Sequence, residues 1–425
     1  MKAALGQDLP SAWSRTPLMD LLETLESGSR PKGGVKNIES GIPSVGGEHL
    51  DSNGGFRLDR TKFVPAEFAR RMTRGHILKG DILVVKDGAT TGKSSLVRES
   101  FPFGEAVANE HVFVCRCKEG ISSHYVFYYL FSAKGRDEIL QDFRGAAQGG
   151  ISQRFAELVQ VPLAPFDQQK CIVAEIEKQF SRLDEAITNL KRVKANLKRY
   201  KAAVLKAAVE GKFVSSDPNG LPRTNFGTVL TTIEAGKSFK CEERLPNIRE
   251  IGVVKVSAVT WGTYNEEESK TCLDPDRIET RYFVKPGDFL FSRANTIQLV
   301  GACVIAQKVT RRVMLSDKIL RFRFSDRVVP QWVLYWLRSD IGRKEIQRLS
   351  TCNQESMRNI GQDRIREIAF ALPSLEEQHA IVAEVERRLS VIEELEASVE
   401  ANLTRADRLR QSILKKAFSG GGGES

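Results

Sequence analysis

Residues 86–95 (KDGATTGKSS) combine glycines, a lysine and hydroxyl side chains, the residue types that hold a phosphate group. A Walker A loop follows the pattern G-x-x-x-x-G-K-[ST], in which successive backbone N–H groups surround the phosphates. Here only residues 89–91 separate Gly88 from the Gly92-Lys93 pair. The loop is one residue too short, and its spacing argues against a nucleotide site at 88–94.

The chain contains an internal repeat whose unit is roughly half of the chain in length. A repeat this long exceeds a solenoid unit and predicts a duplicated module, a globular lobe followed by a long helix. The matching segments are IVAEIE at 172–177 with IVAEVE at 381–386, YVFYYL at 125–130 with WVLYWL at 332–337, and LETLESG at 22–28 with LTTIEAG at 230–236.

The second copy serves as an internal control for the glycine-rich loop. Opposite residues 86–93, the segment 292–301 (SRANTIQLVG) keeps a glycine but has no Gly-Lys-Ser. If the architecture required a nucleotide, both copies would carry the phosphate-binding pattern. A shared scaffold with different polar loops instead favours two related recognition surfaces with different targets.

Two segments have the composition of long helices. Residues 167–209 contain no proline or glycine, and apolar residues recur there every seven positions, as in a coiled coil. Ser374 and Glu377 form a capping-box pattern, and Gly211 and Gly420 stand where helix ends are expected. The predicted seam residues are Ile176, Leu183, Leu190, Leu197 and Val204 in the first helix and Val385, Ile392, Val399 and Ile413 in the second.

Each long helix needs a partner for its apolar stripe, and the other copy is the nearest one. We therefore predict an α+β fold in which two globular α/β lobes are separated by two long helices that form an antiparallel coiled coil with pseudo-twofold symmetry. Packing of each helix on its own lobe is the alternative. The predicted boundaries are 1–161 for the first lobe, 162–212 for the first helix, 213–370 for the second lobe, 371–419 for the second helix and 420–425 for a flexible tail.

Composition narrows the function further. The net charge of +10 favours a polyanionic partner, of which nucleic acid is the usual one. No apolar run reaches the roughly 18 residues of a membrane span, and the N-terminal residues MKAALGQDLPSAW lack the apolar core of a secretory signal, so a cytoplasmic location is expected. The cysteines form no CxxC pair and the histidines have no ligand spacing, so we predict no metal site. The sequence also has no Asn-Pro-Pro-aromatic or Asp-Pro-Pro-aromatic motif, no Walker A loop of the correct length and no catalytic triad spacing, so we predict no catalytic residues.

Two related lobes held apart by a rigid rod suit duplex DNA, which offers sites about one helical turn, roughly 34 Å, apart. Arg, Lys, Asn and Gln can contact base edges, while Ser, Thr and backbone N–H groups hold phosphates. The candidate DNA-binding residues are Lys32, Lys36, Asn37, Lys86, Thr90, Thr91, Lys93, Ser94 and Gln148 in the first lobe and Lys237, Lys240, Arg293, Asn295, Thr296, Gln298 and Gln354 in the second.

The doubled arrangement resembles the specificity subunit of type I restriction-modification systems. The resemblance covers essentially the whole chain. It rests on the Gly-Asp-(Ile/Phe)-Leu strands at 80–83 and 287–290, the prolines at 162, 165 and 373, and the (Gln/Glu)-Gln and Ile-Val-Ala-Glu residues that open each long helix. It implies that each lobe is a target-recognition domain for one half of a bipartite site in double-stranded DNA.

The same resemblance implies the partners. The helix pair would be a spacer that docks two methyltransferase subunits, to which restriction subunits can be added. S-adenosylmethionine, ATP and magnesium would belong to those subunits and not to this chain, which would be non-catalytic. Two other interpretations stay open: a coiled-coil adaptor that does not recognise DNA, and a nucleotide-binding protein that uses residues 88–94.

Overall fold

The computed structural model describes residues 9–36, 38–145, 149–214, 221–260, 262–354 and 357–419. The chain divides into two compact units. The first comprises Met1–Leu190 with Ala401–Ser425, and the second comprises Lys191–Glu400. Each unit therefore contains one lobe and a part of both long helices.

The first lobe is built on small sheets with helices against them, and its strands pair antiparallel except for β3 and β7, which are parallel. Its main sheet has the order β2-β8-β5-β6, a second has the order β4-β3-β7, and β1 pairs with β9. The strands are β1 (Ser14–Pro17), β2 (Leu22–Ser27), β3 (Ile42–Val45), β4 (Lys62–Val64), β5 (Ile82–Val85), β6 (Ser94–Leu96), β7 (Val107–Ala108), β8 (Val112–Cys117) and β9 (Gln160–Leu163). The short helices are α1 (Leu18–Leu21), α2 (Ala66–Arg71), α3 (Ser123–Phe131), α4 (Ala133–Leu140) and α5 (Phe155–Leu158), and the long helix α6 (Phe166–Val209) follows.

The second lobe repeats this plan. Its main sheet has the order β11-β19-β15-β17, the next β12-β14-β13-β18, and β10 pairs with β22. A further sheet has the order β16-β21-β20. The strands are β10 (Arg223–Asn225), β11 (Leu230–Ala235), β12 (Cys241–Glu242), β13 (Gly252–Val254), β14 (Ser269–Cys272), β15 (Phe289–Ser292), β16 (Ala294–Asn295), β17 (Cys303–Ile305), β18 (Val313–Met314), β19 (Ile319–Phe324), β20 (Thr351–Gln354), β21 (Met357–Asn359) and β22 (Ala369–Ala371). The helices are α7 (Pro330–Arg338), α8 (Asp340–Leu349), α9 (Gln362–Arg366) and the long α10 (Leu375–Ala417).

Both lobes use a glycine at the same place for the same reason. Gly28 follows β2, and a Cβ atom there would lie 1.6 Å from the Ala108 carbonyl oxygen. Gly236 follows β11, and a Cβ atom there would lie 2.0 Å from the Leu315 oxygen. These glycines are the last residues of the repeated segments 22–28 and 230–236. The two copies therefore share this close approach of two backbone segments as well as the sequence pattern.

Strands β5 and β15, each an inner strand of its main sheet, consist of buried residues. In β5, Ile82 and Val84 contribute to one apolar cluster, and Leu83 and Val85 to another on the opposite face. The alternation of side chains along a strand requires this division when both faces are covered. The strand therefore consists entirely of apolar residues, as does most of β15.

The two long helices run antiparallel within each unit. In the first unit, Arg410 of α10 donates a hydrogen bond to the Asp184 carboxylate of α6. In the second unit, Lys194 lies 2.6 Å from Glu400, and Lys201 lies 4.0 Å from Glu393. As the residue number rises along α6 the partner's number falls along α10, which confirms the predicted antiparallel coiled coil.

The end of α10 also completes the core of the first lobe. Phe418 contacts the rings of Tyr125 and Tyr129, with centroid distances of 5.1 and 5.3 Å. Leu414 lies in the same cluster and is fully buried. The alternative in which each helix packs only on its own lobe is therefore wrong, because the second helix supplies core residues to the first lobe.

The predicted seam is largely buried. Ile176, Leu183, Leu197, Val204, Val385, Ile392 and Val399 are buried, whereas Leu190 and Ile413 are half-buried. Near the C-terminus Leu414, the residue after Ile413, is the fully buried one. A straight helix drifts about 20° per heptad relative to a strict seven-residue repeat, which moves the buried position by one residue.

The helix ends follow the sequence signals. The Glu377 N–H donates to Ser374 Oγ at 3.2 Å, and the Ser374 N–H donates to Glu377 Oε2 at 2.9 Å, which is the predicted capping box. Gly211 has a φ of +75°, and the Lys212 N–H donates to the Ala207 oxygen as in a Schellman motif. Gly420 lies outside the described residues.

Candidate nucleic-acid interface

The glycine-rich segment of the first lobe connects two strands. The loop at 86–93, called here the first hairpin loop, joins β5 to β6, which form an antiparallel pair. A Walker A loop joins a strand to a helix, whose N-terminus faces the phosphates. Lys93 Nζ instead donates a hydrogen bond to the Leu50 carbonyl oxygen. The connection and the lysine contact both differ from those of a nucleotide-binding loop.

Burial separates the candidates along this segment. Thr90 is exposed, Lys86 and Lys93 are half-buried, and Thr91 and Ser94 are buried at 6% and 2% exposure. The Thr91 hydroxyl donates to the Gly88 oxygen at 2.7 Å and closes the loop. Both hydroxyls lie inside the lobe, and the assignment of Thr91 and Ser94 as DNA-contacting residues stays a prediction. Burial also lowers the pKa of Lys93.

A second loop lies beside the first hairpin loop. Asp87 and Gly150 form a β-bridge, and the Ile151 N–H donates to the Lys86 oxygen at 2.8 Å. The loop at 144–150, called the first flanking loop, is closed by an Arg144–Gly150 bridge. The first hairpin loop and the first flanking loop are therefore neighbours in the first lobe. Gln148 lies outside the described residues.

The second lobe contains the same pair of loops. The second hairpin loop (293–300) follows β15 and contains β16. The second flanking loop (351–359) carries β20 and β21, which pair with each other, and β21 also pairs with β16. The Ile360 N–H donates to the Arg293 oxygen at 2.9 Å, as the Ile151 N–H does to Lys86. Arg293 and Lys86 thus occupy equivalent positions. The Gln354 side chain lies outside the described part of the structure.

The remaining candidates of the second hairpin loop lie close together in the chain and differ in exposure. Thr296 and Gln298 are exposed, while Arg293 and Asn295 are half-buried. Arg293 Nε lies 3.3 Å from Asn359 Oδ1 of the flanking loop. The Asn295 side-chain oxygen accepts the Thr296 N–H at 2.9 Å.

Lys237 and Lys240 lie beyond β11, at the start of another loop. Lys237 Nζ is 2.6 Å from Glu279 Oε1 and 5.4 Å from the centroid of the Tyr282 ring. Its hydrogen bond to Glu279 raises the pKa of this lysine. Lys240 is exposed, and its backbone N–H donates to the Asp274 carboxylate. Of the two side chains, Lys240 is the more accessible to a ligand.

The corresponding loop of the first lobe lines a basic cleft of about 310 Å³. Its lining residues are Arg30, Gly33, Gly34, Val35, Lys36, Ser44, Lys62 and Asn109. Arg30 is 2.9 Å from Glu110, and Lys62 is 2.5 Å from Glu48. Lys32 and Lys36 are both exposed, and Asn37 lies outside the described residues. Sequence reasoning missed Arg30 and Lys62, because Lys62 joins the cleft only through the folding of β3 against β4.

A histidine connects the first hairpin loop to its surroundings. His111 Nδ1 is 2.6 Å from Asp87 Oδ1, and Nε2 is 3.3 Å from Glu110 Oε1. The His111 oxygen also accepts the Lys86 N–H at 2.8 Å. In the second lobe Lys318 replaces it, since the Arg293 N–H donates to the Lys318 oxygen at 2.9 Å. The backbone hydrogen bonds around the two hairpin loops are alike, and the residue that accepts from Lys86 or Arg293 is a histidine in the first lobe and a lysine in the second.

The junction that is repeated before each long helix has a structural role. Gln169 and Gln378 are buried, at 2% and 0% exposure. The Gln169 side chain accepts the Ser122 N–H and donates to the Ala164 oxygen, at 3.0 and 2.8 Å. Gln378 accepts the Val329 N–H and donates to the Pro373 oxygen, both at 2.8 Å. Each glutamine ties the start of a long helix to the start of α3 or α7.

Within the described ranges, no cluster of three or more His, Cys, Asp or Glu side chains is suited to hold a metal ion. No helix among these residues combines the length and the apolar character needed to cross a membrane.

Taken together, the fold and its loops define a chain with two homologous α/β lobes, each carrying a polar loop pair, and an antiparallel helix pair. The fold matches that of HsdS from Thermoanaerobacter tengcongensis, with a TM-score of 0.57 and 20% identity over 97% of this chain and 98% of that one. A chain from a study of complex assembly and conformational transition of the type I R-M system matches with a TM-score of 0.70 and 19% identity, covering 97% and 99%.

Curated relatives give the same result. The specificity subunit of the type I restriction enzyme EcoKI from Escherichia coli (strain K12) is 25% identical over 97% of this chain and 89% of its own length. The specificity subunit of StySPI from Salmonella potsdam is 25% identical with the same coverage. No family model matches the sequence. These similarities confirm the resemblance to type I specificity subunits along nearly the whole chain.

Proposed function

We propose that this chain is the sequence-specific DNA-binding subunit of a type I restriction-modification complex. Each lobe recognises one half of a bipartite target through its hairpin loop and flanking loop, and the helix pair sets the gap between the halves. The observation that carries this proposal is the equivalent pair of polar loops on two matching frames. A recognition protein needs a shared scaffold with different contact residues in its two lobes.

Lys86 and Arg293 supply a contact that the two lobes share. They occupy the same position in the backbone hydrogen-bond pattern, and both are cationic. A cation that is kept while its neighbours change suits a DNA phosphate, which is the same in every sequence. The exposed residues farther along, such as Thr90, Thr296 and Gln298, then discriminate between bases.

The chain itself supplies binding and no chemistry. Methylation, with S-adenosylmethionine, belongs to two methyltransferase subunits docked on the helix pair, and ATP- and magnesium-dependent cleavage belongs to restriction subunits. This division agrees with the absence from the sequence of a Walker A loop of the correct length. It also agrees with the net charge of +10, which favours association with a polyanion.

The decisive experiment exchanges one lobe. Residues 1–160 are replaced by those of a relative with a different target, and the chain is assembled with its methyltransferase subunits. Methylated positions are then mapped across a genome. We expect one half-site to change while the other half-site and the gap remain the same. Unchanged methylation would support the coiled-coil adaptor, and no bipartite preference in the parent complex would refute the proposed function.

A second experiment tests the helix pair as a spacer. One heptad is inserted into both α6 and α10, which lengthens an α-helix by about 10 Å. We expect the preferred gap between the half-sites to change while each half-site sequence stays the same. Loss of recognition at both half-sites in a folded complex would contradict the spacer role.

A further inference from the structure

The second hairpin loop is held by one arginine of helix α8. Arg343 Nη1 donates to the Val300 oxygen at 2.5 Å. Its Nη2 donates to the Ile297 and Gln298 oxygens at 3.1 and 3.3 Å. A single planar guanidinium therefore binds three backbone carbonyl groups of the same loop. Its fixed fork of N–H donors specifies the direction of each carbonyl.

These carbonyls belong to the part of the loop that carries the exposed candidates. Ile297 and Gln298 follow Thr296 directly, and Thr296 is exposed. The Leu299 and Val300 N–H groups both donate to the Thr296 oxygen, at 3.0 and 2.8 Å, which makes a tight turn. Arg343 therefore orients the peptide groups from which the side chains of Thr296 and Gln298 project.

Helix α8 supports this contact in two further ways. Gln347, one turn after Arg343, donates its side-chain N–H to the Ile297 oxygen at 3.4 Å. Gly301, at the end of the loop, has a φ of +77°, and a Cβ atom there would lie 2.5 Å from the Ile346 side chain. The loop thus packs on α8, and Arg343 and Gln347 of this helix donate hydrogen bonds to it.

Arg343 is well placed to act as a fixed support. The Ser339 hydroxyl caps α8 by accepting the Gly342 N–H at 3.2 Å, so the helix turn that carries Arg343 is itself anchored. Burial lowers the pKa of Arg343 to about 10, which leaves the guanidinium charged at neutral pH. The cation therefore remains a donor to all three carbonyls under physiological conditions.

The hairpin loop of the first lobe is held by different hydrogen bonds. Ser132 and Gly135 match Ser339 and Gly342, and the residue equivalent to Arg343 is Arg136, which is exposed. There, the Thr91 hydroxyl and N–H both donate to the Gly88 oxygen. Lys93, at the end of the loop and directly before β6, donates to the Leu50 oxygen. The support by an α8 arginine is a property of the second lobe.

We propose that Arg343 is a positioning residue that determines the specificity of the second lobe, by holding the hairpin loop 293–300 in the conformation that recognises its half-site. It acts through the backbone of Ile297, Gln298 and Val300 and not through contact with DNA. Recognition by hydrogen bonds to base edges requires donors and acceptors at defined positions, so a loop whose backbone can move discriminates less. This inference rests on the proposed function.

The test uses the full chain in complex with its methyltransferase subunits. Arg343→Gln and Arg343→Lys are compared with the parent on duplexes that carry single base changes in either half-site. The lobe exchange described above assigns each half-site to its lobe. For Arg343→Gln we expect discrimination at the second lobe's half-site to fall by about tenfold, the amount that one good base contact supplies. Discrimination at the other half-site stays at the parental level.

Arg343→Lys distinguishes positioning from a merely structural role. Its ammonium can reach one of the carbonyls but cannot span all three, so we expect an intermediate loss. Arg348→Gln is the matched control, since Arg348 lies on the same helix, is exposed and pairs with Glu345 at 2.9 Å. This control should keep parental discrimination at both half-sites.

Amide hydrogen exchange gives a second measurement that does not depend on DNA. In both Arg343 variants, exchange should rise at 296–301 and stay unchanged at 86–92. Parental discrimination in a folded Arg343→Gln complex would overturn the inference, as would an equal loss at both half-sites. If the parent complex has no bipartite preference, the proposed function fails instead, and the two failures are distinguishable.

Discussion

The two hairpin loops occupy the same place on matching sheets, yet they are held by unrelated contacts. The first is closed by its own Thr91 and by Lys93, which reaches the Leu50 oxygen. The second is held by Arg343, which donates to three of its carbonyls from helix α8. The strands before and after each loop pair in the same order.

This difference shows which part of the molecule is free to change. The frame requires close packing, as at Gly28 and Gly236, where a Cβ atom would collide with backbone. The loops require only that their ends meet, so their length, sequence and means of support can diverge. A protein that must recognise two different half-sites can therefore vary its loops without altering its fold.

The largest effect is expected where the two lobes are most alike. Gln378→Leu keeps a similar volume but leaves the half-buried Val329 N–H and the buried Pro373 oxygen without this partner. We expect the free energy of unfolding to fall by about 2–4 kcal/mol. Gln169→Leu should have a comparable effect through Ser122 and Ala164. Chemical denaturation measures both variants.

Gln168→Leu is the matched control for these glutamines. Gln168 is exposed and adjacent to Gln169, and its contact is a hydrogen bond from Trp13 Nε1 at 3.0 Å. We expect a change of about 0.5 kcal/mol or less. If only one of the two buried glutamines proved important, the lobes would not share this tether.

The next effect concerns the cation that the lobes share. Lys86→Gln and Arg293→Gln should each weaken DNA binding by about tenfold on cognate and unrelated sequences alike. Each should also reduce the slope of log affinity against log salt by about one, because one fewer phosphate is neutralised. Fluorescence anisotropy across a salt series provides the measurement. Lys79→Gln, before β5 and away from the loop, should leave the slope unchanged.

A selective loss on cognate DNA would alter this comparison. If Arg293→Gln reduced cognate binding while unrelated sequences bound as before, Arg293 would contact a base. The two equivalent cations would then have different roles in the two lobes.

The smallest effects are expected in the helix pair. Arg410 and Asp184 of the first unit occupy the positions of Lys201 and Glu393 in the repeat. Arg410 is buried and stacks over the Phe180 ring at 4.7 Å, whereas Lys201 and Glu393 are exposed and 4.0 Å apart. We expect Arg410→Ala to cost about 1–2 kcal/mol and Lys201→Ala about 0.5 kcal/mol or less.

Thermal unfolding at low and high salt tests this pair of variants. Salt should abolish the small effect of Lys201→Ala, because exposed ion pairs are screened. It should leave much of the effect of Arg410→Ala, since packing on Phe180 is lost as well. Equal, salt-sensitive effects of the two substitutions would mean that the Arg410–Asp184 and Lys201–Glu393 contacts stabilise the helix pair in the same way.

Much of the architecture could be predicted from local patterns. The absence of proline and glycine between 167 and 209 predicts α6, and the Ser374–Glu377 pattern predicts the start of α10. The repeated segments predict two similar lobes. Each of these patterns depends on neighbouring residues or on a comparison within the chain, so none requires knowledge of distant contacts.

The candidate site was less accessible to the same reasoning. Thr91 and Ser94 have the polar groups of a ligand-binding loop, but the turn closed by Thr91 and the pairing of β6 with β5 place them inside the lobe. Ile413 fits the heptad, yet Leu414 is the fully buried residue. In both cases the residue type was informative and the direction of the side chain was not. The direction of Thr91 and Ser94 depends on contacts with distant residues, and that of Ile413 depends on the drift of a straight helix relative to the heptad.

By itself, the sequence determined the duplicated plan, the long helices with their apolar stripes, and the basic charge that favours a polyanion. Only the tertiary structure decided that each hairpin loop lies beside its flanking loop and that α10 completes the first lobe's core. It also decided that Arg343 supports the loop 293–300. The physical reason is distance along the chain: helix periodicity is local, whereas these contacts join residues that are far apart in sequence.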